Sequence, residues 1–190
     1  MEAARRLARR EQGLSLIEVM IALFVLTVGL LGSVPLFQVA IKNNYRSRTD
    51  STSTALAQMI IDQISAIPVG SPTTTVTITD CASHSITINS AGSTTGAGAN
   101  LTTTGTLGII DFTQSFSSVT SGYAMQYTVC GVSNNTQAVY DVRWNVTTAP
   151  SGKANLVVVG ARSGAGTTNA TAALYAPPVT VRTVVERQGD

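Results

Sequence analysis

Few side chains in this chain stand where they could do chemistry, and the first is Glu18. It is the one charged residue in the apolar run LSLIEVMIALFVLTVGLLGSVPLFQVAI, from Leu14 to Ile41. A carboxylate inside a membrane helix costs roughly 2.5–3.5 kcal/mol even on the lenient insertion scale, so such a residue is a functional candidate by default. The next candidates are the two cysteines, Cys81 and Cys130. Their separation of 49 positions is not a zinc-ligand spacing. His84 is the only histidine, and it lies in a Ser/Thr-rich stretch that suits a surface side chain better than a catalytic or metal-binding one. GARSGAG (160–166) is Gly-rich but lacks the Lys-Ser/Thr of a phosphate loop, and it reads as a turn between strands. With so many serines, the presence of Ser, His and Asp says nothing about a triad. Asn100, Asn134, Asn145 and Asn169 each open an Asn-X-Ser/Thr triplet, which this composition produces by chance. The chain therefore reads as a non-enzyme, with no cofactor, no metal and no small-molecule substrate.

The elements that would position Glu18 come next. The run from Leu14 to Ile41 is 28 residues, about 42 Å as a helix. About 20 residues cross a bilayer core, so the segment spans and extends beyond it. Arg5, Arg6, Arg9 and Arg10 precede the run and favour a cytoplasmic N-terminus. Lys42, Arg46 and Arg48 follow it and weaken that bias. A secretory signal has a shorter apolar region followed by its cleavage site. Here the candidate site, Gly13, comes before the run, so cleavage there would retain the membrane helix.

Gly13-Leu14-Ser15-Leu16-Ile17-Glu18, with its basic leader and apolar helix, resembles the processing motif of type IV prepilins and related pseudopilins. The resemblance implies that a prepilin peptidase/methyltransferase cuts between Gly13 and Leu14 and methylates the new amine of Leu14. Glu18 then becomes the fifth residue, one turn from that amine. Pro35 falls where many pilins carry a helix-loosening proline. VLTVGLLG (25–32), YDVRWNV (140–146) and APPVTVRTVV (176–185) resemble the minor-pilin subgroup called type IV pilus modification protein PilV. The sequence departs from the pattern at Leu14, where Phe is commoner, and at Glu11-Gln12, where a basic residue is usual. In an assembled fibre, the resemblance has Glu18 pairing with the N-terminal amine of a neighbouring pilin. A buried pair of this kind sets register more than it adds stability.

Beyond Ile41 the pattern is amphipathic. Ile41, Tyr45, Leu56, Met59, Ile60, Ile64 and Ile67 recur at helical spacings. Pro68 and Gly70 then end the helix. The expectation is one helix over 14–67, half in lipid and half packed on a sheet, as a stalk joined rigidly to a head. From 69 onward, TTTVTIT (73–79), SITIN (85–89), YAMQYTV (123–129), VYDVRWNVT (139–147), NLVVVGA (155–161) and VTVRTVV (179–185) read as strands. The segments 91–108 and 163–171 read as loops. In 139–147, Tyr140, Val142, Trp144 and Val146 face one way, and Asp141, Arg143 and Asn145 the other. The alternation makes Tyr123, Tyr127, Tyr140 and Trp144 core residues rather than an adhesive surface.

The organisation that follows is a leader at 1–13, cleaved, and a transmembrane and assembly helix at 14–41. An amphipathic helix at 42–68 continues into a β-rich head at 69–190. The fold class is α+β and pilin-like, with the long helix packed on an antiparallel sheet. Charged residues make up only 12% of the chain, against ~25% in an average soluble protein. The net charge of +2 resides entirely in residues 1–13, because the remainder has eight cations and eight acids. A neutral head is a poor general binder of nucleic acid, and no nucleic-acid partner is expected. A disulfide between Cys81 and Cys130 is expected if the head faces an oxidising compartment, and two buried thiols otherwise. The bridge would close a loop of about 50 residues, worth roughly 4 kcal/mol in the chain-entropy model.

The functional expectation is a minor pilin acting in assembly, priming or modification of a type IV pilus. Its partners would be the inner membrane, the peptidase and other pilins, both major and minor. It would reside in the inner membrane with a periplasmic head before assembly, and on the surface fibre afterwards. The alternatives are a pseudopilin of type II secretion and a fibre-borne adhesin or DNA receptor.

Overall fold

The computed structural model describes residues 15–102, 108–131, 136–164 and 177–186. Gly13 and Leu14, the expected processing site, lie outside the described residues. The chain divides into two compact units, Met1–Asn44 and Tyr45–Asp190.

The first unit is helical. Helix α1 begins at Leu16 and runs as one assigned helix to Ser65, with Pro35 inside it. Large side chains from Leu16 to Ile41 are exposed, Phe24 by 70% and Leu36 by 71%. An aqueous fold does not leave a run of this size uncovered. The hydroxyls in this half turn inward on the helix itself. Thr27 donates to the Leu23 carbonyl at 2.7 Å and Ser33 to the Leu30 carbonyl at 2.8 Å. Satisfied in this way, they are compatible with lipid.

The second unit is an α+β head. Its helical part presents Thr49, Ser53, Leu56, Ala57, Ile60 and Ile64 as the buried stripe. This corrects the expected one. Ile41 and Tyr45 are 70% and 61% exposed, and the stripe is continued toward the N-terminus by Thr49 and Ser53. Small hydroxyl residues fit close to a neighbour, and Thr49 satisfies its oxygen on the Tyr45 carbonyl at 2.9 Å.

Strands β1 (Thr75–Thr79) and β2 (Ser85–Asn89) form an antiparallel hairpin. Two-residue strands follow: β3 (Ala97–Gly98), β4 (Leu101–Thr102) and β5 (Ile109–Ile110). The long strands are β6 (Ala124–Cys130), β7 (Thr136–Thr148), β8 (Ala154–Ser163) and β9 (Val179–Glu186). The main sheet runs β3-β7-β8-β9, with β6 also paired to β7, and all its pairings are antiparallel. The GARS part of GARSGAG belongs to β8, not to a turn. The strand continues because Tyr140 still pairs with Ser163. Asn169 lies outside the described residues, as does Asn134.

Trp144 pairs with Val159, Val142 with Ala161 and Val146 with Val157 across β7 and β8, so all six side chains share one face. All are fully buried and join Leu56, Ala57, Ile60 and Ile64 in one core. Each large apolar side chain buried there is worth about 1.5–3 kcal/mol. Trp144 Nε1 donates to the Asn89 carbonyl at 2.9 Å, which ties the sheet to the hairpin. Tyr123 packs beside Trp144 with centroids 6.4 Å apart. Its hydroxyl donates to the Ala91 carbonyl at 2.6 Å, and burial pushes its pKa up.

The opposite face of β7 carries the polar residues of the alternation, and these too are buried. Asp141, Arg143 and Asn145 are 2%, 1% and 6% exposed. Part of the segment read as a loop folds over them. The Asn145 amide donates to the Ala99 carbonyl at 2.8 Å. Ile110 and Phe112 lie so close to Gly160 that a Cβ there would meet them at 2.8–2.9 Å. Both faces of the central strand are therefore covered.

Candidate functional site

The site with a chemical rationale in the sequence is the start of α1. Leu16 opens the helix because the Ser15 carbonyl accepts from the amides of Glu18 at 2.9 Å and Val19 at 3.2 Å. Ser15 is thus the N-cap and Glu18 the third helical residue, the spacing of a capping box. A carboxylate in the first turn also faces the positive end of the helix dipole. The Ser-X-X-Glu spacing that places Glu18 in this first turn is legible in the sequence. Glu18 is exposed. Pro35 lies further along the same exposed apolar helix and cannot donate to the Leu31 carbonyl. The helix is long and apolar enough to cross a membrane, and its most apolar window has no buried residue.

In the head, Cys81 and Cys130 are bonded, with an S–S distance of 2.04 Å. The bridge joins the β1–β2 turn to the end of β6. Asp80, beside it, holds the turn. Its Oδ1 accepts from the amides of Ala82 at 3.0 Å and His84 at 2.8 Å. Its Oδ2 accepts from the Thr128 amide at 3.1 Å and lies 3.0 Å from His84 Nδ1. Burial alone would raise the Asp80 pKa. The hydrogen bonds from His84 and Thr128 outweigh it and hold the carboxyl at about 2, below the ordinary 3.8. His84 is therefore a surface ring, 66% exposed, clipped to a covered carboxylate.

This gives a pH prediction. A depressed carboxylate contributes stability that is complete well above its unfolded pKa and is lost as pH falls through its folded value. The loss should run from near pH 3.8 down through about 2. A shift from 3.8 to about 2 corresponds to a contribution on the order of 2 kcal/mol at neutral pH. A carbon-detected titration of the Asp80 carboxyl should give a midpoint near 2. A midpoint at the ordinary aspartate value would show that these hydrogen bonds do not hold in solution.

The second cluster lies on the face of β7 opposite Trp144, where the alternation places Asp141 and Arg143 together. Arg143 makes a two-point contact with Asp141, Nε to Oδ1 at 2.8 Å and Nη2 to Oδ2 at 2.7 Å. Arg162 adds Nε and Nη2 to Asp141 Oδ2 at 3.2 and 3.0 Å. Arg143 Nη1 donates to the Gln114 carbonyl at 2.6 Å. The Phe112 ring lies under both guanidiniums, 5.1 Å from Arg143 and 4.6 Å from Arg162. Phe116 lies 5.6 Å from Arg143. The Thr113 hydroxyl and amide hold the Asp111 carboxyl below its usual range, with a smaller pull from Arg143. The cluster clamps residues 108–118 onto the sheet, and Arg182 extends the clamp by donating to the Gly108 carbonyl at 2.9 Å. The available signal was Asp141 and Arg143 two apart in a strand, which puts opposite charges on one face.

Among the described residues no group of three His, Cys, Asp or Glu could hold a metal ion. Tyr123, Tyr140 and Trp144 are buried and Tyr127 is half-buried. Asn145 is buried, which removes it as a glycosylation acceptor, whereas Asn100 is exposed. Arg46 lies 3.7 Å from Asp50 in an exposed pair; Arg48 and Lys42 are exposed on the same helix.

Residues 8–34 match the family model of the prokaryotic N-terminal methylation motif. No curated protein and no solved structure matches the chain. With the α+β fold behind it, the motif supports a protein of the type IV pilin-like class. It implies processing by a prepilin peptidase and association with a membrane and with pilins.

Proposed function

We propose that this chain is a minor pilin of a type IV pilus, working in assembly, priming or modification of the fibre rather than as an enzyme. The observation that carries this reading is the methylation motif at 8–34, set at the start of a helix whose apolar side chains are exposed. A surface of that size needs cover, first from lipid and then from the helices of other pilins. Cleavage between Gly13 and Leu14 would leave a charged, methylated amine one turn from Glu18. In the fibre, the Glu18 of an incoming subunit meets the amine of its neighbour, which removes the penalty of an unpaired charge and fixes axial register. Pro35, with Gly29 and Gly32 before it, softens the helix for transfer out of the bilayer. The disulfide suits a head on the periplasmic side of the inner membrane and later on the cell surface.

The test is mass spectrometry of sheared surface fibres and, separately, of membranes, seeking a peptide that begins at Leu14 and carries one added methyl group. Its recovery from fibres would support the minor-pilin reading. Processed protein confined to membranes would favour a pseudopilin of type II secretion. A chain still beginning before Gly13, in cells with active peptidase, would overturn both. In the same assay Glu18→Ala should remain in the membrane but fall at least about tenfold in fibres, the equivalent of losing ~1.4 kcal/mol of docking. Undiminished incorporation would refute the pairing.

A further inference from the structure

A cavity of about 280 Å³ opens on the inner face of the head where the helix ends. Its walls include Ile64, Ser71, Gly92, Thr148, Asn155 and Val185, and among the described residues no charged side chain lines it. The volume is just below the roughly 300–1,000 Å³ of ligand pockets for drug-sized molecules. One side chain or a small ligand fits it.

Two independent features give the cavity a polarity. Asn155 is 8% exposed, and its Oδ1 is the one buried side-chain oxygen or nitrogen among the described residues with no hydrogen-bond partner. Such an orphan acceptor calls for a donor. A Cβ on residue 92 would lie 3.1 Å from that oxygen and in contact with Thr148 Oγ1. Only glycine lets the backbone pack this closely against both oxygens, so Gly92 forms one wall with them. The second feature is the end of α1. The last helical carbonyls carry the negative end of the dipole, and no basic residue stands in the last turn to offset it. Ile64 and Val185 supply aliphatic wall beside these acceptors.

We propose that this cavity binds an alkylammonium group, its methylenes against Ile64 and Val185 and its N–H donors toward Asn155 and Thr148. The lysine side chain of another protein and a free aliphatic amine share this chemistry. The inference rests on the geometry of the head alone and stands or falls separately from the fibre reading.

The test uses the full, isotope-labelled chain in detergent micelles, titrated with n-butylammonium chloride and, at equal ionic strength, with n-butanol. The butylammonium should shift the Asn155 side-chain amide and the backbone amides of Ser71 and Gly92 saturably, with a Kd on the order of ~1 mM. Its methylenes should show nuclear Overhauser contacts to the Val185 methyls, a readout that needs no variant. Asn155→Leu, checked for a native spectrum, should weaken binding at least about fivefold, in line with the loss of one hydrogen bond. Equal shifts with butanol would mean a merely apolar cavity and overturn the proposal. No saturable shift would mean a hydrated cavity only and overturn it as well. Within a positive result, a capped lysine peptide binding more tightly than putrescine assigns the site to a protein side chain, and the reverse assigns it to a free amine.

Discussion

Replacing Asp141 with alanine is expected to lower the stability of the head by about 3–5 kcal/mol, the cost of removing one partner from a buried ion pair. Asp141 accepts from two guanidiniums, and Arg143 is only 1% exposed. Without the carboxylate, Arg143 keeps the Gln114 carbonyl, the Phe112 and Phe116 rings and a weak attraction to the Asp111 carboxylate, none of which replaces the two-point contact. The remaining route to relief is to lift the 108–118 segment and admit water, which exposes Phe112. Asp141→Asn should cost less, because one oxygen acceptor survives. Trp144 is the sole tryptophan and is fully buried, so its fluorescence during denaturant unfolding reports the head. A loss below about 1 kcal/mol for Asp141→Ala, the range of exposed pairs, would mean the cluster is solvated. Arg143→Met paired with Asp141→Leu is informative in the other direction. Buried ion pairs replaced whole by apolar residues are often neutral in stability. A double variant more stable than either single one would assign the energy to the penalty of an unpaired charge.

Trp144→Ala should destabilise the head by a similar amount, about 3–5 kcal/mol. Two losses combine. The indole fills the centre of the sheet face against Tyr123, and alanine leaves a cavity. The Asn89 carbonyl also loses its donor at 2.9 Å. Trp144→Phe separates the two: it keeps most of the ring and removes only the donor, for an expected cost of about 1–3 kcal/mol. Both variants lack the fluorescent probe, so circular dichroism follows unfolding. The amides of β2 should exchange faster in each, since the hairpin is tied to the sheet through Asn89. Unchanged β2 exchange in Trp144→Phe would show that this hydrogen bond does not anchor the hairpin.

The legible parts of this fold are those fixed by local periodicity. SITIN (85–89) is β2 to the residue, and Tyr140, Val142, Trp144 and Val146 line the core as their alternation requires. The continuous apolar run in β8 is covered on both faces, because Val158, on the face opposite to Val157 and Val159, is only 1% exposed. Boundaries moved by a residue or more where strands continue through polar residues, as at Thr136 in β7 and Ser163 in β8. The helical stripe departs from apolar periodicity at its start, because the buried surface there consists of Thr49 and Ser53. Nothing local marks Asp80, since a single Asp in a turn is common. Its importance comes from Thr128, 48 positions away.

By itself, the sequence carries the motif that supports the type IV pilin-like class. Gly13, Leu14 and Glu18 at the head of an apolar run are a motif because processing and membrane insertion act on a contiguous stretch of chain. The same holds for the helix and for the alternating strands, whose periods are set by local backbone geometry. Only the tertiary structure decided which polar residues are buried. Asp141 and Arg143 look like a solvated strand face in one dimension. They lie inside because residues 97–102 and 108–118 return over β7 and bring Phe112, Phe116 and Gln114 to them from about 30 positions away. That closure depends on long-range contacts whose cost and reward no local pattern records. The unpartnered oxygen of Asn155 is likewise a property of the packed sheet and of the helix end beside it.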